Sequence, residues 1–368
     1  LAELGAVYDS GALSNRNLII NGAMQVAQRG TSFSTGSTTI YTLDRFQSGT
    51  GSSFNFDLTL TQSTDSPTGF SNSLKITPDS TQTPSGGQNG AIRYNIEAQD
   101  LQSLGYGSSD AKKMTLSFYV KSNKTGTYSV QLIGYDGQNS CVTTYTIDAS
   151  NTWERKTITI DPDTSNAFAN DNTLGILLAW HLACGPDDIV SPSTSWGVAS
   201  TGFRAATGQV NFMDDTANEW YLTGVQLELG TEATPFEHRS FGDEYFRCAR
   251  YYFSINAAGH SSPTDGAYCR YDGANQNSNE FNWYPQYPAL MRATPSLVKN
   301  NLSSSTVDVY NATTGVSQTF SDMTMGEGGK LNGYVKVSAT GAGISAGDIG
   351  SWRWNNSPDA SVAFDAEL

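Results

Sequence analysis

The stretch Met114-Thr115-Leu116-Ser117-Phe118-Tyr119-Val120 decides the fold of this chain. Large apolar side chains stand at every second position, and hydroxyl-bearing side chains fill the positions between them. Successive side chains of a β-strand point to opposite faces, so this spacing predicts a strand with one face in a core and the other toward water. A helix would instead repeat its apolar residues every three or four positions.

The same alternation recurs on both sides of this strand, at residues 54–60, 128–132, 158–160, 210–212 and 222–227. Gly224 interrupts the last of these segments. Clusters of turn-forming residues separate the alternating segments, for example at 122–126, 135–137 and 161–163. Many short strands with turns between them predict antiparallel β-sandwiches, so we expect an all-β fold.

One short helix is predicted, at about 241–253. Ser240 and Asp243 have the spacing of a capping box. Residues on one face of this helix would be Phe241, Tyr245, Ala249 and Tyr252. We place a domain boundary here because β-like sequence resumes afterwards.

Four segments are therefore expected. They are an N-terminal linking segment at 1–14, a large β-sandwich domain at 15–240, a helical connector at 241–253 and a second, smaller β-domain at 254–368.

Charge argues against two classes of partner. The chain carries 21 Lys and Arg against 35 Asp and Glu, a net charge of −14, without a cluster of basic residues. Nucleic-acid binding requires cations that release the counterions of phosphates, and an anionic membrane repels such a chain. No apolar run is long enough to span a bilayer, and no signal peptide is recognisable. We expect no nucleic-acid binding and no membrane insertion.

Four cysteines are widely spaced: Cys141, Cys184, Cys248 and Cys269. Without a Cys-x-x-Cys pair, they predict buried or half-buried thiols in a protein that folds in a reducing cytoplasm. The pair His181 and Cys184 has no partner cluster, so it predicts no zinc site.

Two patterns could support catalysis. Gly343-Ile344-Ser345-Ala346-Gly347 has the Gly-x-Ser-x-Gly spacing of a nucleophile elbow, but 348–351 is a poor helix and all three His precede Ser345. Paired acids occur at 161/163, 187/188, 214/215 and 243/244. Glycoside hydrolysis uses two carboxyl groups a few ångströms apart, whereas acids in turns usually cap them. We expect a flexible turn and caps, and no enzymatic activity.

Aromatic side chains are the candidates for stacking on sugar rings. Trp196 lies in a polar loop, Trp283 and Tyr284 lie in a short aromatic-rich stretch, and Trp352 and Trp354 alternate along one predicted strand. We predict these five as glycan-binding residues, with packing in a core or subunit interface as the alternative.

Two longer motifs carry a resemblance to a known family. The first begins Asn15-Arg16-Asn17-Leu18-Ile19-Ile20-Asn21-Gly22 and continues to Gly30, followed by 41–46. The second runs from Trp220-Tyr221-Leu222-Thr223-Gly224-Val225-Gln226-Leu227-Glu228 through 233–252. Together they resemble a family of tail-fibre and virion proteins of marine and cyanobacterial phages, over about 15–252. Residues 288–295 and 365–368 also fit that family.

The same span is similar, more distantly, to jelly-roll carbohydrate-binding modules. The matching segments are Asn17–Gly22, Thr115–Lys121, Thr152-Trp153 and Val225–Glu228. This resemblance implies a two-sheet jelly roll at 15–240 in which the first and last strands are adjacent.

A structural Ca²⁺ is common in such modules, held by acids after the opening Asn-Gly and before the closing Val. Here those positions are Ala23, Met24, Gln25, Thr223 and Gly224. Calcium needs several oxygen ligands, usually carboxylates, so we expect no metal site and no cofactor.

The sequence thus predicts a non-enzymatic structural and adhesive virion protein that is tail-fibre-like. The resemblance implies a homotrimer, joined to other virion proteins through its N-terminal side. Residues 254–368 would then face a host polysaccharide or lipopolysaccharide. The alternatives are a tail-associated glycan depolymerase and a capsid decoration or head-fibre subunit without a receptor role.

Overall fold

A computed structural model describes residues 15–52, 54–198, 202–256, 271–277, 279–311, 313–340, 345, 348–354 and 360–368. The predicted linking segment at 1–14 lies outside these residues. The regular secondary structure of the described chain is almost entirely β-strand, which confirms the predicted fold class. It forms two compact units, one ending at Tyr245 and including Leu368, and the other spanning Phe246–Glu367. No described helix is long and apolar enough to cross a membrane.

Among the residues that the structure describes, the first unit has fifteen strands. In chain order they are β1 (Ser32–Ser34), β2 (Ile40–Tyr41), β3 (Phe46–Gly51), β4 (Leu58–Ser63), β5 (Ser73–Pro78), β6 (Asn89–Glu97), β7 (Met114–Ser122), β8 (Gly126–Gly134), β9 (Asn139–Ile147), β10 (Glu154–Ile160), β11 (Leu174–Cys184), β12 (Ile189–Val190), β13 (Ser193–Val198), β14 (Ala205–Ala206) and β15 (Trp220–Leu229). Short 3-10 helices lie at Ala98–Leu104, Pro186–Asp188 and Phe212–Asp214.

Two sheets pack face to face to form a sandwich. The six-stranded sheet has the order β1-β4-β5-β15-β7-β10, and the seven-stranded sheet has the order β13-β9-β8-β11-β6-β3-β2. Between them lies one continuous apolar core. The alternating residues of β7 (Met114, Leu116, Phe118 and Val120) are all fully buried in it, as their spacing predicts.

A β-bulge explains the break in the alternation of β15. The pairing of β15 with β7 shifts register between Thr223 and Gln226, and Gly224 has a positive φ of 62°. Because of the extra residue, Leu222 and Val225 both point into the core although they are three positions apart. A Cβ on Gly224 would lie 2.8 Å from the rings of Phe70 and Tyr119, so glycine is required here.

The two motifs of the phage-family resemblance meet along β15. Leu18 N donates to Leu227 O (2.9 Å), and Val225 N donates to Gly22 O (3.0 Å). The Asn17 carboxamide accepts from Leu227 N (3.0 Å) and donates to Val225 O (3.2 Å). The predicted adjacency of the opening and closing segments is therefore confirmed, although residues 16–20 form no regular strand.

Arg239 holds this junction together. Its guanidinium donates to the carbonyls of Ile19 (3.0 Å) and Asn17 (2.5 Å). The carboxylates of Glu237 and Glu244 each lie 3.6 Å from it, and the three side chains are only 6–11% exposed. The Arg239 cation thus binds backbone carbonyls and carboxylates beside residues 17–19.

The helix α1 (Phe241–Ala249) begins as predicted and ends earlier. Ser240 Oγ accepts from Asp243 N (3.2 Å) and donates to Asp243 Oδ2 (2.7 Å), which confirms the capping box. The predicted buried face is confirmed at Ala249 and Tyr252, but it is wrong at Phe241, which is 59% exposed, and it omits Glu244, which is buried. The Glu244 carboxylate turns inward because it accepts from Asn21 N and pairs with Arg239.

The described part of the second unit contains nine strands, β16 (Tyr252–Asn256), β17 (Tyr271–Asn277), β18 (Glu280–Trp283), β19 (Ser296–Asn300), β20 (Val307–Asn311), β21 (Val316–Gly328), β22 (Gly333–Thr340), β23 (Ile349–Trp354) and β24 (Ser361–Asp365). Six of them close a barrel in the order β17-β18-β22-β21-β20-β23, and β16-β24-β19 form a separate sheet. Apolar residues of the barrel strands and of β24 form one core. A second β-domain was predicted, and its barrel closure was not.

A covering segment, residues 202–210, packs on the outer face of the seven-stranded sheet. Gln131 on β8 anchors it, since its Nε2 donates to Gly202 O (3.0 Å) and its Oε1 accepts from Arg204 N (2.9 Å). The same Oε1 contacts His181 Nε2 at 3.1 Å. Because that oxygen only accepts, His181 carries its proton on Nε2 and is a fully buried neutral imidazole.

We predict that Arg239→Ala destabilises the first unit by about 3 kcal/mol, because it leaves two buried carboxylates without their cation. Urea unfolding followed by tryptophan fluorescence measures this. The matched control is Arg155→Ala, which removes an exposed arginine that also donates to a carbonyl, Thr234 O (2.6 Å). Equal losses for both variants would contradict the assigned role.

We predict that Trp283→Ala costs the second unit about 3–5 kcal/mol, because it empties a buried ring's volume. The neighbouring Tyr284→Ala should change stability by only about 0.5 kcal/mol, because that ring is largely exposed. Thermal and urea unfolding of both variants test the pair. Similar stabilities would show that Trp283 does not support the barrel.

We predict that stability falls as pH drops below about 6.5, with a contribution from His181. Burial lowers the pKa of His181 to about 3, so in this range the unfolded state binds a proton that the folded state does not. The slope from this residue approaches about 1.4 kcal/mol per pH unit. His181→Gln should flatten the measured slope, and the exposed control His238→Gln should not. Parallel slopes for the wild type and His181→Gln would exclude the effect.

Candidate functional site

Trp283 and Trp352, two of the predicted glycan-binding residues, lie inside the barrel. They are 3% and 0% exposed, and their rings meet edge to face with centroids 5.0 Å apart. Alternation along β23 does place Trp352 on one face, but that face is the interior of the barrel. Neither indole offers a ring face to a ligand, so the structure supports the alternative reading of both as core residues.

Tyr284 and Trp354 stand differently. Tyr284 is 53% exposed, and its ring lies 6.0 Å from that of Tyr334. Tyr284 therefore remains a predicted sugar contact. Among the described residues, no further aromatic ring lies beside Tyr284 and Tyr334. The side chain of Trp354 lies outside the described residues.

Trp196 is the predicted residue that belongs to a larger aromatic group. It lies on β13, half-buried, and its indole Nε1 donates to Asp161 O (2.9 Å). Its ring meets that of Tyr106 edge to face at 5.9 Å. On its other side, Tyr106 stacks on Phe168 at 5.5 Å. Three rings therefore pack in series, from the edge of the seven-stranded sheet to the loop that carries Phe168.

A cavity of about 230 Å³ opens beside this group, which we call the aromatic pocket. Its lining residues are Leu101, Gln102, Gly105, Tyr106, Ser108, Ala167 and Phe168. One wall is the 3-10 helix Ala98–Leu104, which ends at Gly105 in the left-handed conformation (φ 64°). The other wall is the loop that carries Ala167 and Phe168.

Asp163 fixes the loop that forms the second wall. Its buried carboxylate accepts from Ser165 N (2.8 Å), from the backbone and side chain of Asn166 (3.2 and 2.8 Å) and from the carboxamide of Asn139. Its carbonyl accepts from Gly107 N (3.0 Å), which joins the two walls. The pocket is therefore formed before any ligand binds, which lowers the entropy cost of binding.

Gln102 closes the pocket at its rim. Its Nε2 donates to the carbonyls of Phe168 (3.2 Å) and Ala169 (2.9 Å), so the exposed side chain is held in place with Oε1 left as an acceptor. Ser108 adds a hydroxyl that donates to Gly105 O (2.7 Å). Burial raises the pKa of Tyr106, which keeps its phenol neutral. An apolar floor with a neutral polar rim suits an uncharged, hydroxyl-rich ligand.

The paired acids serve as caps and ion-pair partners. Asp161 accepts from the hydroxyls of Thr194 and Ser195 (both 2.9 Å) and pairs with Lys113 (2.9 Å), which lowers its pKa. In two other pairs of acids, Asp188 forms an ion pair with Arg204 (3.2 Å) and Asp214 forms one with Lys124 (2.6 Å).

These acids are poorly suited to glycoside hydrolysis. A general acid in that reaction needs a raised pKa, and the pKa of Asp161 is lowered instead. The carboxylate of Asp163 is occupied by amide donors.

The remaining patterns are the Gly-x-Ser-x-Gly segment, the metal-ligating residue types and the cysteines. Most of the Gly-x-Ser-x-Gly segment 343–347 lies outside the described residues. Within the described chain, no group of three or more His, Cys, Asp or Glu residues could hold a metal ion. Cys141 and Cys248 are buried free thiols and Cys184 is a half-buried one, as predicted, while Cys269 is among the residues left undescribed.

Sequence reasoning missed Tyr106 and Phe168. Phe168 stands alone in a polar loop, the same signal that marked Trp196, and it could have been found that way. Tyr106 gave no such signal, because it follows an apolar segment and is flanked by glycines. Only the fold brings these residues, which are up to 90 positions apart, into one group.

No protein-family profile and no curated protein matches this chain. Solved structures align with part of it. One is the tailspike protein 4 enzymatically active domain of bacteriophage CBA120, with 14% identity, a TM-score of 0.30, and coverage of 58% of this chain and 22% of that one.

Two further matches come from Clostridium thermocellum. Endo-1,4-β-D-xylanase 10B, solved with xylohexaose, shows 11% identity and a TM-score of 0.31 over 60% of this chain and 30% of that one. A family 11 carbohydrate-binding module of a cellulosomal cellulase shows 10% identity and a TM-score of 0.27, over 55% and 98%. The chain thus spans less than a third of the tailspike domain and of the xylanase. Identities and scores this low assign no residue role to this chain.

Proposed function

We propose that this chain is a structural and adhesive subunit of a phage particle, and that its first unit binds a surface glycan of the host at the aromatic pocket. The observation that carries the glycan-binding part is the series of rings from Trp196 through Tyr106 to Phe168 beside a preformed cavity with a neutral polar rim. The virion role is supported by the resemblance of residues 15–252 to phage tail-fibre proteins.

The pocket has the two components that sugar recognition needs. Sugar rings present C–H faces that pack on aromatic rings, and their hydroxyls need donors and acceptors at fixed positions. Phe168 and Tyr106 supply the apolar surface, while Gln102 and Ser108 supply polar groups at the rim. One such pocket holds a sugar weakly, and a trimer would raise the apparent affinity by avidity.

We also propose that the chain is not an enzyme. The described acid pairs act in caps and ion pairs, so they supply no free acid and base for hydrolysis. A structural and adhesive role requires only that the aromatic pocket binds its glycan and that the β-sandwich withstands mechanical load.

The fourth prediction concerns Phe168→Ala. Removing this ring opens the pocket and should weaken binding at least about tenfold, or about 1.4 kcal/mol, because the apolar surface for the sugar is lost. A panel of neutral polysaccharides on an array identifies the ligand, and titration calorimetry compares the variants. Phe241→Ala removes an exposed phenylalanine elsewhere and should bind as the wild type does.

Three outcomes would contradict this function. They are a wild-type chain that binds nothing on the panel, a Phe168→Ala variant that binds normally, and release of reducing sugar from the bound polysaccharide. Gold-labelled antibody against the chain, viewed on intact particles by electron microscopy, tests the virion role separately.

A further inference from the structure

A second feature, on the outer face of the seven-stranded sheet, is independent of the aromatic pocket. Arg93 lies on β6, directly opposite Gln47 on β3 and Ala179 on β11. It is only 6% exposed. No carboxylate pairs with it in the described part of the chain, although the protein has far more acids than bases. Buried arginines are almost always paired, so this one requires an explanation.

Gly49 and Phe203 cover the two faces of the Arg93 guanidinium. On one side it covers Gly49, where an added Cβ would fall 2.1 Å from Nε, so only glycine leaves room for it. On the other side the ring of Phe203 lies 3.6 Å away, measured to its centroid. Both faces of the planar group are therefore covered, and only its edges remain for hydrogen bonding.

The free edge has the geometry of a carboxylate receptor. Nε and Nη2 of Arg93 are buried and donate no hydrogen bond to the described residues. These two nitrogens lie on the same edge of the guanidinium, the edge that binds the two oxygens of a carboxylate side by side. A single anionic group would satisfy both donors and neutralise the charge.

The described residues around Arg93 supply no negative charge of their own. Burial lowers the pKa of Arg93 to about 10, so the side chain stays cationic at neutral pH. Burial keeps His181 neutral, and it raises the pKa of Tyr135. On the same strand, Glu97 already accepts from Gln99 Nε2 (2.6 Å).

We propose that Arg93 is a subsite for the carboxylate of a uronic acid in an acidic polysaccharide, and that the half-buried ring of Phe203 moves aside when this sugar binds. The sugar carboxylate accepts two parallel hydrogen bonds from Nε and Nη2. Gly49, on the opposite face, still supports the guanidinium plane when Phe203 has moved, so this edge keeps its direction. This subsite does not depend on the aromatic pocket.

The net charge of −14 does not oppose this assignment at short range. Repulsion between the chain and an anionic polymer is screened beyond about 8 Å at physiological ionic strength, whereas the contact at Arg93 is direct. Added salt should therefore weaken binding much less than it weakens binding to a basic surface patch.

The probes are polygalacturonate, alginate and hyaluronan, each beside its carboxyl-reduced form, with the full chain as the binding partner in titration calorimetry. We expect the wild type to bind at least one acidic form and to lose at least about tenfold in affinity for its reduced form. The Arg93→Met variant should bind the acidic form at least about tenfold more weakly than the wild type does. Its melting temperature should rise, because an unpaired buried cation is removed.

Three further variants sharpen the test. Phe203→Ala should bind the acidic polymer at least as well as the wild type, because the cover over Arg93 is gone. Arg155→Met, which changes an exposed arginine of the six-stranded sheet, should bind normally. If Arg93→Met does not fold, Arg93→Lys takes its place, since lysine keeps the charge but not the paired donors, and it should also lose affinity.

Phe168→Ala separates this subsite from the aromatic pocket, because it should leave the preference for carboxylate intact. The proposal is overturned if the wild type binds none of the acidic polymers or binds them no better than their reduced forms. It is equally overturned if the folded Arg93 variant binds as the wild type does.

Discussion

The sandwich depends on one long-range junction, in which residues 17–22 pair with the last core strand, β15. The Asn17 carboxamide bonds β15 across 210 positions of sequence, and Arg239 gathers the carbonyls on the other side of the same segment. Closing so large a loop costs conformational entropy, and this cost is offset only when both sheets have formed. Folding of this unit is therefore expected to be slow and to finish late, when residues 220–240 have been made.

The strands could be predicted from the sequence because a strand that buries one face has an apolar residue at every second position. The residues of β7 were visible in that way, and so was an interruption at Gly224, which the structure explains as a bulge with positive φ. The orientation of an alternating face is not visible. The alternation of Trp352 and Trp354 is equally compatible with a surface face. Closure of the barrel turns the face of Trp352 inward. That closure depends on pairings between β17, β18 and β23, which no local sequence pattern reveals.

The candidate site was predictable only in part, for a related reason. Trp196 was marked by an aromatic ring in a polar loop, whereas its partner Tyr106 was hidden among glycines. The loops that form the aromatic pocket are held by Asp163, whose adjacency to Asp161 suggested paired acids. A carboxylate that organises a loop and one that cleaves a bond look alike in sequence, and their hydrogen-bond partners distinguish them. Arg93 gave no sequence signal, because an isolated arginine in a strand is ordinary until its burial is known.

Closure of the six-stranded barrel has a consequence for how copies of this protein can associate. A closed barrel has no edge strand, so its backbone N–H and C=O groups are already paired and cannot recruit a strand from another molecule. The barrel is thereby protected against fusion with a sheet of a neighbouring copy. Any assembly through the barrel would have to use side chains and loops, which evolution can vary without disturbing the ladder beneath them.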